Sequence, residues 1–171
     1  VTDVLNDKNL LLFNRVLGGL FHPGSVYKPL VAIAALETGS VKSDYTYHDS
    51  GAITIKNIYG SYSFKNWFFT EYGGVEGLIG FERALARSTD TFFYKVGELL
   101  GPEDLSSWSK NFGLDKKTGI DIPGEISGLV PSPEWKLDFK GERWFLGDTY
   151  NMSIGQGDLA VTPLAINTAI T

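Results

Sequence analysis

Phe21-His22-Pro23-Gly24-Ser25-Val26-Tyr27-Lys28-Pro29, running directly into the apolar stretch Leu30 to Leu36, organises the rest of the chain. Pro23 and Gly24 form a turn that delivers Ser25 to the start of a helix, and Lys28, three places on, returns to the same face. That spacing lets Ser25 and Lys28 touch. A serine hydroxyl is a poor nucleophile at neutral pH unless a base takes its proton, and a lysine does so when burial and its neighbours lower its pKa. The N–H groups at a helix N-terminus favour negative charge developing on the serine oxygen and on a carbonyl under attack. Pro29 falls in the first turn, where its missing N–H removes no helical bond. Taken alone, Ser-x-x-Lys is a weak signal, because a surface helix carries both residues by chance. The flanks strengthen it: Val31, Ala32, Ile33, Ala34, Ala35 and Leu36 are too apolar for a solvated surface and predict a buried helix, closed at Thr38-Gly39.

The 171 residues suffice for one domain with a core, and 43% hydrophobic and 20% charged residues are the composition of a soluble globular protein. A net charge of −5, with both signs scattered, leaves no basic patch for nucleic acid. Cysteine is absent, which excludes disulfides and thiolate metal sites. His22 and His48 are the only histidines, and none of the common ligand spacings occurs, so no metal is expected. There is no apolar run of about 18 residues and no signal-peptide pattern at Val1-Thr2-Asp3. Without an initiator methionine, and with Thr162-Pro163 opening a helix that reaches Thr171 with no stop signal, the chain reads as an excised piece of a longer protein.

Residues 1–20 read as a polar lead-in followed by a short helix or turn. Ala52 to Ile55 and Tyr59 to Phe64 flank Lys56-Asn57 and predict a small hairpin. His48-Asp49 reads as structural, since adjacent side chains usually point different ways. Gly74 to Arg87 predicts a helix with Val75, Leu78, Ile79, Ala84 and Leu85 inward. Ser88-Thr89-Asp90 follows, then a helix from Thr91 to Leu100 and another from Pro102 to Phe112, closed by Gly113. Ser88-Thr89-Asp90-Thr91 serves equally as an N-cap or as a loop presenting a hydroxyl and a carboxylate beside another helix N-terminus, the arrangement of a proton relay. Pro131 to Lys136 predicts a short helix entered through prolines, and Gly155-Gln156-Gly157 a tight turn.

The order of these pieces carries a resemblance. Pro23-Gly24-Ser25-Val26-Tyr27-Lys28-Pro29, then Ser88-Thr89-Asp90-Thr91-Phe92-Phe93-Tyr94, then Thr118 to Glu125, then Gly147-Asp148 and Ser153-Ile154-Gly155-Gln156-Gly157 with Thr162-Pro163, resembles the transpeptidase domain of class B penicillin-binding proteins, closest to the elongation-specific penicillin-binding protein 2 type. The resemblance implies Ser25 as the nucleophile acylated by D-Ala-D-Ala stem peptides and by β-lactams, and Lys28 as its general base. It implies Ser88 as a proton relay and Asp90 as the group holding Lys28 or substrate backbone. Aspartate stands at this last position where most relatives carry the asparagine of Ser-x-Asn. Gly155, Gln156 and Gly157 are implied, more weakly, in substrate binding. Lys117-Thr118-Gly119 spells the third family motif at the wrong place, ahead of Gly-Gln-Gly; the true motif is expected beyond Thr171.

The implied fold is α+β, the penicillin-binding protein and serine β-lactamase-like transpeptidase fold. Residues 1–171 are expected to be a single partial domain, truncated at both ends: mainly its helical part, with most of the central antiparallel sheet missing. The implied function is peptidoglycan D,D-transpeptidation by an acyl-enzyme, with no metal or organic cofactor. The alternatives are a serine β-lactamase or DD-carboxypeptidase, in which water replaces the acceptor amine, and a non-catalytic penicillin-sensing or scaffold module. The isolated piece is expected to be inactive even where the parent is an enzyme. The implied partners are peptidoglycan stem peptides, β-lactams and membrane proteins of the elongation machinery, including a glycosyltransferase. The implied location is a membrane-anchored parent with its active domain on the extracytoplasmic, periplasmic side.

Overall fold

A computed structural model describes residues 8, 10–58 and 60–171; the lead-in over residues 1–7 and Tyr59 at the expected hairpin lie outside the described residues. The architecture is mainly helical. Helix α5 (Asp90–Leu100) is its axis, because most of its circumference is buried: Thr91, Phe92, Phe93, Tyr94, Val96, Gly97 and Leu100 face inward, leaving Lys95 and Glu98 paired on a narrow outer face beside exposed Leu99. A helix with so little polar surface must be surrounded, and four others pack against it. They are α2 (Lys28–Glu37), α4 (Phe81–Ala86), α6 (Pro102–Asn111) and α8 (Leu146–Ser153). Fully buried Phe92 and Phe93 each contribute about 1.5–3 kcal/mol relative to exposure.

Helices α5 and α8 pack closely. A Cβ built on Gly97 would stand 2.4 Å from Ser153 Oγ, so only glycine lets the two backbones come this near. Ser153 turns its hydroxyl back to Thr149 O at 2.6 Å, so it needs no partner across the interface. One turn earlier Tyr94 and Tyr150 stack at 5.1 Å, and Phe64 meets Tyr94 edge-on at 5.7 Å and Tyr150 at 5.1 Å.

Helix α2 is preceded by a 3₁₀ turn, Gly24–Tyr27, and buries Leu30, Val31, Ala32, Ala34 and Ala35. The expected helix is therefore present, ending at Thr38 with Gly39 in the left-handed region (φ 71°), although Ile33 and Leu36 remain exposed. Short helix α1 (Arg15–Gly18), capped by Asn14, lies just upstream. Helices α7 (Pro133–Lys140) and α9 (Pro163–Ile170) begin with prolines behind Ser132 and Thr162, whose hydroxyls accept from Trp135 N and Ala165 N.

Strands are few. β1 (Tyr47–Asp49) pairs antiparallel with β4 (Gly77–Ile79), and β2 (Ala52–Asn57) with β3 (Gly60–Lys65), giving two two-stranded sheets among the described residues. This is the partial α+β architecture that the sequence implies. The expected helix over Gly74–Arg87 is not formed as such. Gly77 sits at φ 69° and Gly80 is extended, so the first half becomes strand β4, and only Phe81–Ala86 is helical. Val75, Leu78 and Leu85, read as inward-facing, are exposed, whereas Ile79 and Ala84 are buried. Pairing with β1 supplies hydrogen bonds that a helix interrupted by two glycines would hold only weakly. α3 (Trp67–Tyr72) follows β3 and stops at Gly73, again left-handed at φ 66°.

Two isolated bridges tie the chain together around Ser25. Phe21 pairs with Val161, and Leu129 with Ala160, so the segment entering the Ser25 turn runs beside the segment leaving Gly157. No helix among the described residues is long and apolar enough to cross a membrane.

Candidate active site

Three elements converge on Ser25. The 3₁₀ turn Gly24–Tyr27 presents its side chain to solvent, α2 begins with Lys28, and the loop between α4 and α5 brings in Ser88 and Asp90. Lys28 is buried, with a side chain only 1% exposed. Its Nζ donates to Ser88 O at 2.8 Å, to Ser88 Oγ at 3.0 Å and to Asp90 Oδ1 at 2.6 Å. It also lies 5.6 Å from the centre of the Phe93 ring. The Ser88 hydroxyl donates to Ser25 Oγ at 2.7 Å. The four residues singled out from the sequence thus form one connected chain, Asp90–Lys28–Ser88–Ser25.

The connection differs in one respect from the spacing argument. Among the described residues no hydrogen bond joins Lys28 Nζ to Ser25 Oγ; Ser88 Oγ stands between them. The reason is the pull on Lys28 from the far side, where Asp90 and the Ser88 carbonyl offer it an oppositely charged and a neutral acceptor. Burial lowers the Lys28 pKa from its ordinary value, and the negative charge and hydrogen bond of Asp90 partly oppose that shift. An ammonium held under such tension gives up its proton more readily than an exposed lysine, which suits a base.

Backbone geometry contributes as well. Ser88 adopts φ 53°, the left-handed region that non-glycine residues occupy at a cost of about 1–2 kcal/mol. Such strain persists only where the surroundings impose it. Gly155 also bears on the nucleophile. Its carbonyl accepts from Gly24 N at 2.9 Å, its φ is 72°, and a Cβ there would come within 2.3 Å of Gly24 O. Of the Gly155-Gln156-Gly157 turn, Gly155 therefore buttresses the residue before Ser25. Gln156 is exposed, its N–H closing onto Asn151 O, and Gly157 packs against Asn151. His22 reinforces the same seam through Nδ1 and Leu159 O, 2.8 Å apart.

Lys117-Thr118-Gly119 lies in irregular chain beyond α6 and is held by Glu125. The Glu125 carboxylate accepts from Thr118 N, Thr118 Oγ1 and Gly119 N at 2.5, 2.6 and 3.1 Å, and the Thr118 hydroxyl leads the hydrogen bonds that lower its pKa. Asp49 is structural, as its sequence reading expects, but the segments it joins are not read from the sequence. His48 is exposed, but Asp49 is fully buried and accepts from Gly51 N (2.9 Å), Glu76 N (2.8 Å) and Thr91 Oγ1 (2.7 Å), tying strand β1 to the first turn of α5 beside Asp90. Asp49-Ser50-Gly51 carries the signature of an aspartate bonding its own backbone two residues on, which was the available signal. A groove of about 750 Å³ lies between the β2–β3 hairpin and the start of α8; none of the four convergent residues lines it. Among the described residues no group of three or more His, Asp or Glu is placed to hold a metal ion.

The chain is 36% identical over 162 residues to the peptidoglycan D,D-transpeptidase MrdA of Acinetobacter baumannii, covering 94% of this chain and 23% of that protein. It is 36% identical over 167 residues to MrdA of Escherichia coli, covering 98% and 25%. The chain thus spans about a quarter of the length of these relatives. Among solved structures, Pseudomonas aeruginosa PBP2 in complex with WCK 5153 superposes with a TM-score of 0.89 at 34% identity, over 98% of this chain and 35% of that one. PBP2 in its complex with MreC from Helicobacter pylori gives 0.86 at 32%, over 96% and 29%. A profile of the penicillin binding protein transpeptidase domain matches residues 3–171, and the chain belongs to that family.

Proposed function

We propose that the protein carrying this chain is a peptidoglycan D,D-transpeptidase of the penicillin-binding protein 2 type, with Ser25 as nucleophile, Lys28 as base, Ser88 as proton relay and Asp90 as the group that holds Lys28. The observation that carries this reading is the buried Lys28 ammonium joined to Ser25 through the Ser88 hydroxyl. With Lys28 neutral, the relay runs toward it: Ser25 gives its proton to Ser88 Oγ as Ser88 gives its own to Lys28 Nζ. Ser25 Oγ then adds to the penultimate D-Ala carbonyl, the C–N bond breaks, and the departing D-Ala amine takes the proton back from Lys28 through Ser88. An amine of a second stem peptide attacks the ester, the new amide forms and Ser25 Oγ recovers a proton. A penicillin enters the same way, but its leaving nitrogen stays tethered and the acyl-enzyme persists. Gly155, Gln156 and Gly157 would border the substrate beside the Ser25 turn.

The test is to give the intact protein a stem peptide ending in D-Ala-D-Ala together with an acceptor peptide. Release of D-Ala matched by cross-linked dimer is expected. Release matched by the hydrolysed donor would identify a carboxypeptidase, and acylation by penicillin with no D-Ala release a sensing or scaffold module. The reading extends to a membrane-anchored protein working outside the cytoplasmic membrane with membrane proteins of the elongation machinery, a glycosyltransferase among them; a relative has been solved with MreC.

The pH dependence has a defined sign. Acylation needs neutral Lys28, so its rate rises with pH through the Lys28 pKa, which burial places below the ordinary lysine value of about 10.4. Asp90 opposes that lowering, so Asp90→Asn is expected to move the acidic limb of the acylation profile to lower pH while reducing the plateau rate. Rates of labelling by a fluorescent penicillin across pH measure both; a limb that moves upward, or stays in place, contradicts the role given to Lys28.

A further inference from the structure

Ser88 gives its carbonyl and hydroxyl to the relay, both accepting from Lys28 while the hydroxyl donates to Ser25, and its backbone N–H donates to Leu85 O at 3.1 Å. Its left-handed backbone, φ 53°, closes the end of α4, where Thr89 N–H also reaches Ala84 O at 2.9 Å. Two adjacent residues at the junction of β3 and α3 add a restraint on either side of this cap. Trp67 Nε1 donates to Arg87 O at 2.8 Å, immediately before Ser88, and buried Asn66 accepts from Asp90 N through Oδ1 at 3.4 Å, two residues after it. The Trp67 ring also lies 5.3 Å from the Arg87 guanidinium, whose Nε donates to Glu76 at 2.8 Å.

We propose that Asn66 and Trp67 are positioning residues that clamp the main chain on both sides of Ser88 and thereby set the Ser25–Ser88–Lys28 relay. This rests on the roles assigned above to Ser25, Lys28 and Ser88. The clamp comes from the excursion between α2 and α4 and touches none of the reacting atoms. It holds the loop by its backbone, so its effect on chemistry passes through the placement of one hydroxyl.

A double-mutant cycle in the intact protein tests this, reading the rate of acylation by a fluorescent penicillin, with thermal melting to confirm the fold. Trp67→Phe keeps an aromatic ring beside Arg87 while removing the N–H to Arg87 O and part of the ring packing on Phe68 and Tyr72, a loss that the melting temperature reports. Acylation is expected to slow about tenfold in the wild-type background, the loss typical of one well-made hydrogen bond. In a Ser88→Ala background, measured over hours, Trp67→Phe is expected to change the remaining rate less than about twofold, because there is no relay hydroxyl left to misplace. Asn66→Ala, which releases the other side, is read in the same cycle with the same expectation. Equal losses in both backgrounds for both variants would mean a general structural role and overturn the proposal, as would no loss in either. Ser25→Ala separates the two levels: if it is still acylated at the wild-type rate, the underlying relay is wrong, whereas if its acylation is abolished and the cycle is additive, only the clamp is.

Discussion

Lys28→Met is expected to slow acylation by penicillin about 10³-fold, within the range of about 10²–10⁴ that a positioned general base supplies. Methionine matches the length and burial of the lysine stem, so the substitution removes the base and little packing. Lys28 Nζ holds Ser88 O, Ser88 Oγ and Asp90 Oδ1 together, and its loss deprives the relay of both its proton acceptor and its scaffold. What remains is Ser25 with solvent as base. The residual rate should therefore climb with hydroxide concentration and lose the wild-type limb. Stopped-flow or gel-based labelling over a pH series measures this, and a residual rate within tenfold of wild type would remove Lys28 from the mechanism.

Gly155→Ala is the second large effect, and it acts through the backbone. A left-handed φ of 72° is strained for alanine, and the new methyl would overlap Gly24 O at 2.3 Å and Gly24 N at 2.7 Å, main-chain atoms that cannot swing aside as a side chain would. Because Gly24 N is hydrogen-bonded to Gly155 O, relieving the overlap breaks the contact that fixes the residue before the nucleophile. The expected destabilisation is about 2–4 kcal/mol, together with a loss of acylation larger than the change in melting temperature alone accounts for. A control at Gly39, whose added Cβ meets nothing within 4 Å though its φ is 71°, isolates the backbone contribution. If both glycine variants lose the same amount of acylation, contact with the Ser25 turn is not what matters at Gly155.

The parts of this molecule that were legible in its sequence are those fixed by local chemistry. The Pro-Gly turn before Ser25, the apolar face of α2, the proline-led starts of α6, α7 and α9, and the β2–β3 hairpin all arise from residues close to one another along the chain. The candidate relay was legible by a different route, through the order of short motifs. Gly74–Arg87 was misread because the apolar spacing of Leu78, Ile79, Ala84 and Leu85 satisfies a helix, and only pairing with Tyr47–Asp49, some thirty residues away, turns Gly77–Ile79 into a strand. The same distance hid what Asp49, Asn66 and Trp67 hold. Their partners Thr91, Asp90 and Arg87 lie 42, 24 and 20 positions on, and each bond is made to or beside a loop whose shape no local pattern dictates. The insertion of Ser88 between Ser25 and Lys28 was invisible for the same reason: helical spacing brings the first and last together, and only the tertiary fold adds the hydroxyl and carboxylate that draw Lys28 aside.

The most direct measurement is whole-mass and peptide mass spectrometry of the intact protein after incubation with a penicillin, beside Ser25→Ala. The buried lysine and its serine relay predict a single adduct of the penicillin's mass, located on the peptide containing Ser25 and absent from the variant. An adduct on any other residue, or an unmodified Ser25 peptide from protein shown to be folded, would contradict Ser25 as the nucleophile.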